Sequence, residues 1–250
     1  TIARFEPVNL NVRDEETESD ARTRIAAAAQ RLDPDTSEAV TANVTYHRLP
    51  LNDVWFRDNG PLFVQDGVRG PALPLALASG CQNADANEPA GATPGRVALT
   101  DWGFNAWGEK YAPWTDDDRA PATLAARLNM RRFAVPAIME GGSLEINGHG
   151  VCLTTRSCLL EPNRNPDLNA AEIELLLRDY LGVTQLVWLE EGLEGDHTDG
   201  HIDTIVRFTD DDTIVCSVEP RQDDPNHATM ARNLAQLNTL RRADGTPYRV

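Results

Sequence analysis

The stretch Gly195-Asp196-His197-Thr198-Asp199-Gly200-His201-Ile202-Asp203 constrains this chain more than any other. It puts three carboxylates and two imidazoles into nine residues broken by two glycines. A surface turn has no need of that set, and an apolar core could not hold it unpaired, because buried charge without partners is costly. Gly200 lets the backbone approach closely, and the following Thr204-Ile205-Val206-Arg207-Phe208 reads as a β-branched strand. On such a strand His201 and Asp203, two apart, share a face. An imidazole and a carboxylate on one face make a proton-handling pair.

The 250 residues can bury one sizeable core, as one large domain or two small ones. A formal net charge of -16 argues against nucleic acid or an anionic membrane as partner. It suits a small cationic ligand, although a solvated acidic surface accounts equally well for most of the carboxylates. The reading expects neither a membrane span nor a leader. Cys81, Cys152, Cys158 and Cys216 show no C-x-x-C spacing and are too few for a disulfide scaffold, so a reducing cytoplasm is expected. Lys110 is the sole lysine. Thr1 is not a start residue, and Pro247-Tyr248-Arg249-Val250 stops as if entering a strand, so a piece of a longer protein is expected.

Periodicity predicts strands at 7–12, 44–47, 62–64, 132–135, 144–146, 151–154, 185–189, 204–208 and 213–218. Helices are predicted at 21–32, 123–128, 169–180 and 228–240, with Gly182 as a C-cap. Residues 79–95 read as a loop or insertion, and Asn147-Gly148 as a hairpin turn. Strand pairs separated by single helices favour α/β or α+β.

Four further stretches are chemically loaded. In Asn52-Asp53-Val54-Trp55-Phe56-Arg57-Asp58-Asn59-Gly60-Pro61, a carboxylate beside an aromatic face suits a planar cation; the alternative is an Arg57–Asp58 pair with Trp55 in the core. Asp101-Trp102-Gly103-Phe104-Asn105-Ala106-Trp107-Gly108 reads as a substrate-lining loop or an aromatic loop anchor. Met139-Glu140-Gly141-Gly142-Ser143 sets a carboxylate before two glycines, as close backbone approach or a plain turn requires. Leu159-Leu160-Glu161-Pro162-Asn163-Arg164-Asn165-Pro166 reads as a structural turn before a helix.

Together these segments resemble the agmatine deiminases and bacterial-type peptidylarginine deiminases of the guanidino-group-modifying superfamily. The resemblance is carried in order by Asn52-Asp53-x-Trp55-x-Arg57-Asp58-x-Gly60-Pro61, Asp101-Trp102-Gly103-Phe104-Asn105-x-Trp107-Gly108, Glu140-Gly141-Gly142-Ser143, Thr154-Thr155-x-x-Cys158-Leu159-Leu160-x-Pro162-Asn163-Arg164-Asn165-Pro166 and Asp199-Gly200-His201-x-Asp203. It implies an α/β fold, a pseudo-fivefold α/β propeller of ββαβ units with the site in its central channel. Here the propeller would be incomplete: one deiminase catalytic domain over residues 1–250, without the family's opening segment and C-terminal blade. No metal or organic cofactor is implied, the partner is a small guanidino cation, and a homodimer is compatible.

The resemblance implies that Asp58 and Asp203 clamp the guanidinium and that His201 protonates departing ammonia and then activates water. Trp55, Glu140, Trp107 and Asp199 complete the implied substrate-binding set. A cysteine thiolate would attack the guanidinium carbon to give a thiouronium intermediate. The family's nucleophile lies near the C-terminus behind a Gly-Gly segment, and nothing after Cys216 matches it. The 250 residues alone are therefore expected to be inactive.

Two other readings stay open. His197 and His201, four apart among acidic residues, suggest a metal-dependent amidohydrolase, though Gly200 argues against a helical metal face. The other is a non-catalytic guanidinium or polyamine receptor keeping Asp58, Trp55 and Asp203. Glu190, Glu191, Glu194 and Asp196 suggest an acidic approach to His201, which favours agmatine over arginine as substrate.

Overall fold

The computed structural model describes residues 2–65 and 97–250. Cys81 and the expected loop at 79–95 lie outside the described residues. Strand β1 (Val8–Val12) leads through helices α1 (Glu15–Ala29) and α2 (Pro34–Ala42) into β2 (Val44–Arg48), which pairs with β1 in parallel. Asp14 caps α1 by accepting from Thr17 N, and Asp33 caps α2 by accepting from Thr36 N. These caps start α1 six residues before the expected helix at 21–32, and α2 was not expected at all.

Two units then repeat one plan. After α3 (Phe56–Asn59), strands β3 (Leu62–Gln65) and β4 (Val97–Gly103) pair antiparallel. The chain crosses through α4 (Ala106–Glu109), α5 (Thr115–Asp118) and α6 (Ala120–Leu128) to β5 (Arg132–Ile138), parallel to β4. Next, β6 (Glu145–Ile146) and β7 (Val151–Thr155) form the expected hairpin, and a helical crossover leads to a parallel β8 (Gln185–Leu189). Between β7 and α8 (Ala170–Leu181) lies the one-turn α7 (Arg156–Leu159). Each unit is thus antiparallel, then parallel across a helical crossover, as a ββαβ order requires. An antiparallel pair, β9 (Val206–Phe208) with β10 (Ile214–Cys216), and α9 (His227–Leu237) follow. The architecture is mixed α/β; among the described residues no sheet closes on itself.

The second unit shows how the core forms. Asn169 and Glu172 make a reciprocal capping box on α8, and Gly182 ends it in the left-handed conformation at φ 70°. Ile173 and Leu177, one turn apart, bury against Trp102, Val135, Cys152 and Trp188. The neighbouring residues Leu153 and Val187 point to the sheet's opposite face and meet Ile202, Ile214, Met230 and Leu237. Both faces are covered, so every residue of β7 is buried. No helix among the described residues is long and apolar enough to cross a membrane.

Candidate active site

Three turns, each leaving a different secondary-structure element, bring the expected residues together. Asp199 and Gly200 take left-handed backbone at φ 66° and 104°. Gly200 also has no room for a side chain, since a Cβ there would lie 2.5 Å from Ser157 Oγ. The chain then turns through a single 3-10 turn, Ile202–Thr204, in place of the expected strand, which begins only at Val206. The turn still delivers His201 and Asp203 to one place: His201 Nδ1 lies 3.9 Å from Asp203 Oδ1. From α3, Asp58 Oδ1 reaches within 3.8 Å of the same nitrogen.

Gly142, in the turn Gly141–Ser143 after β5, floors this cup. Its N–H donates to Asp58 Oδ1 at 2.9 Å. A Cβ there would fall 2.5 Å from His201 Nδ1, 2.7 Å from Asp58 Oδ1 and 3.0 Å from Asp203 Oδ2. Trp107 Nε1 donates to the other oxygen of Asp58 at 3.0 Å. Burial raises the Asp58 carboxyl above its ordinary value, only partly offset by His201 and these two hydrogen bonds.

Trp107 is held in an unusual way. Ala106, Trp107, Gly108 and Glu109 all have positive φ, so this turn is left-handed, a conformation disfavoured for residues with a Cβ. Asn105 caps it by accepting from Gly108 N, Phe104 packs edge-on to Trp107, and Gly108 sits where a Cβ would strike Asn163. The segment expected as a loop from Asp101 is strand as far as Gly103; there Asp101 stands opposite Ala134 and pairs diagonally with Arg132 on the neighbouring strand.

A second layer stands behind the cup. Glu140 is fully buried and places Oε2 3.8 Å from His201 Nε2. Arg164 Nε donates to both Glu140 oxygens at 3.0 Å. Its Nη1 reaches Asp199 Oδ2 at 2.6 Å and its Nη2 the Thr198 carbonyl at 2.8 Å. Asp199 also accepts from Lys110 Nζ and Asn163 Nδ2. With its oxygens engaged by three partners, Asp199 ties its loop to Lys110, Asn163 and Arg164, and Glu140 faces His201. Burial pushes the Glu140 carboxyl up, but His201 and Arg164 outweigh it and hold it below the ordinary value. Arg164 is the buried residue that the turn reading of 159–166 passed over; an arginine between two asparagines, with no acidic neighbour closer than Glu161 and Asp167, carries no local mark of burial.

Other expectations are redirected. Trp55 is 58% exposed at the N-cap of α3, so it is not a core residue. Arg57 donates to the Leu144 carbonyl and lies 3.9 Å from Asp203, leaving no Arg57–Asp58 pair. His197 is exposed and bonded to Tyr111. Among the described residues it joins no group of three metal-capable side chains with His201; that group is Glu140, Cys158 and His201. The acidic approach is largely neutralised: Glu190 pairs with Arg156 and Glu191 with Arg232. Asp196 turns inward to cap Thr198, Gly200 and His201. Burial pushes the Cys152 thiol up to about 12 and also raises Cys158 and Cys216, so none of the three offers a ready thiolate at neutral pH.

The sequence and the fold are similar to those of known proteins. The chain is 37% identical over 210 residues to a protein from a Shewanella species named "Putative agmatine deiminase", covering 82% of this chain and 49% of that one. A Legionella pneumophila protein of the same name is 32% identical over 251 residues, covering 100% of this chain and 60% of its own length. The fold superposes on the agmatine deiminase of Enterococcus faecalis with a TM-score of 0.70 at 26% identity, over 99% of this chain and 68% of that one. The chain spans about half the length of the curated relatives it matches. The sequence pattern of the Porphyromonas-type peptidyl-arginine deiminases matches residues 1–250, and the chain belongs to that family.

Proposed function

We propose that the protein containing these residues hydrolyses a guanidino group to a ureido group and ammonia, with agmatine as substrate and N-carbamoylputrescine as product. The observation that carries this reading is the convergence of Asp58, Asp203 and His201 over the side-chain-free floor of Gly142. Two carboxylates beside one imidazole hold a delocalised cation in a fixed plane through charge-assisted hydrogen bonds. The name borne by the relatives supports agmatine over arginine.

In this mechanism a cysteine thiolate attacks the guanidinium carbon. His201 gives its proton to the leaving nitrogen, which departs as ammonia and leaves a thiouronium ester. Water, losing a proton to His201, adds to that carbon; the thiolate leaves, and the ureido product forms. The three described cysteines are raised in pKa, Cys81 lies outside the described residues, and nothing after Cys216 matches the family's nucleophile segment. The nucleophile is therefore assigned to sequence outside these 250 residues, which alone are expected to be inactive. Residues 1–250 then belong to one catalytic domain, whose ββαβ units are blades of a pseudo-fivefold α/β propeller around the cup. Glu140, Arg164 and Asp199 act as positioning residues, while Trp107 orients Asp58 and exposed Trp55 offers an aromatic face to the ligand.

The test is release of ammonia and ureido product by the full-length protein from agmatine, with arginine in parallel. A higher kcat/KM for agmatine supports the reading; a higher value for arginine removes agmatine as the substrate. Binding without turnover would move the protein to the receptor reading.

A further inference from the structure

Behind the cup, ligand atoms of Glu140, Cys158 and His201 lie within 4.8 Å of one another. All three side chains are buried. His201 Nε2 has no hydrogen-bond partner, because Glu140 Oε2 at 3.8 Å is beyond bonding distance. A buried imidazole nitrogen without a partner is unfavourable, and this one is directed at a carboxylate and beside a thiol. The deimination chemistry assigns no role to Cys158.

Imidazole, carboxylate and thiolate together are the donor set of a borderline-soft divalent cation, and three protein ligands with one open position suit tetrahedral zinc. Three atoms no farther apart than that can share a centre about 2.8 Å from each, against bonded distances of about 2.0–2.3 Å, so side-chain torsions need close the triangle by under about 1 Å. Arg164 Nε already contacts both Glu140 oxygens, but each carboxylate oxygen keeps a second lone pair. Asp58 and Asp203, 3.8 and 3.9 Å from Nδ1 of the same imidazole, add negative charge nearby.

We propose that Glu140, Cys158 and His201 form an inhibitory binding site for a thiophilic divalent cation, with Zn2+ the ion of best fit. Binding exchanges the Cys158 S–H bond for an S–Zn bond and releases that proton to solvent; nothing is oxidised or reduced. The ion occupies His201 and Glu140 together and withdraws the imidazole from proton transfer. The site rests on the geometry alone, and only its inhibitory effect rests on the deiminase reading. It differs from a metal-dependent hydrolase in using Cys158 in place of His197 and in blocking turnover.

The test uses the metal-free full-length protein titrated with Co2+, whose thiolate charge-transfer absorption reports a sulfur ligand without requiring turnover. The expected result is one equivalent bound with that absorption, displaced by Zn2+. Cys158→Ala should lose the band and weaken Co2+ binding by more than about a hundredfold, since even outer-shell partners are worth about 10–100-fold. Cys216→Ser should keep it. Should Cys158→Ala fail to fold by circular dichroism, Cys158→Ser is read in its place. No thiolate band in the parent, or a band that persists without Cys158, overturns the proposal. Added Zn2+ should suppress agmatine turnover in the parent at concentrations that leave the Cys158 variant unaffected; equal sensitivity overturns the inhibitory role. A protein that shows the band but turns over no guanidino compound would fail the deiminase reading alone.

Discussion

Arg164 and Glu140 meet with one nitrogen 3.0 Å from both carboxylate oxygens, and neither side chain touches solvent. The remaining nitrogens of the same guanidinium hold Asp199 and the Thr198 carbonyl. One side chain therefore ties the carboxylate facing His201 to the loop that carries His201. Removing one partner of a buried pair leaves the other as an uncompensated charge. Arg164→Met is expected to lower unfolding stability by about 3–5 kcal/mol, read by urea denaturation. Arg164→Lys keeps the charge but loses the fork and should fall between parent and Arg164→Met. Parental stability in Arg164→Met would show that the pair holds nothing in place.

Glu140 gives this network a pH signature. Its folded value lies below the ordinary 4.5 because His201 and Arg164 outweigh its burial. The unfolded chain therefore binds more protons in that window, and stability rises with pH. The contribution is fully present above about pH 4.5 and is lost as pH falls through the folded value. The stability gap between parent and Glu140→Gln, measured by denaturation across pH 3 to 7, should shrink on acidification, with both pH limits about the ordinary carboxylate range. A gap that widens would have the wrong sign.

Gly142 has no positive φ, so its backbone accepts alanine, yet a Cβ there would press on His201, Asp58 and Asp203 at once. Gly142→Ala should retain its circular dichroism spectrum while kcat/KM for agmatine drops about a hundredfold or more, the scale of an ångström-sized misplacement. Unchanged kinetics would mean that the guanidinium does not sit on this floor.

The sequence carried the site in clustered form and the fold only in part. Helix α8 was legible because its cap residues, its apolar stripe and Gly182 all agree. Helix α1 was mislocated because its first turn is acidic and its apolar face is made of alanines, so the N-cap Asp14 was the only sharp mark. Strand β4 was hidden: Thr100 and Asp101 are polar yet buried, satisfied by Trp102 and Arg132, partners that no local pattern reveals. The partners of Asp199 were hidden for the same reason, since Lys110 and Arg164 are 89 and 35 positions away. Arg164 was missed because a buried arginine in an Asn-Pro turn has the same local appearance as an exposed one.

The central claim is that Asp58 and Asp203 hold a guanidinium against His201. It is tested most directly by kcat/KM for agmatine in the full-length protein carrying Asp203→Asn, with its unfolding curve measured alongside. Loss of one charge-assisted contact to a desolvated cation is worth about 2–5 kcal/mol, so a fall of at least about thirtyfold with the fold intact is predicted. Turnover at the parental rate would remove Asp203 from the clamp and contradict the account.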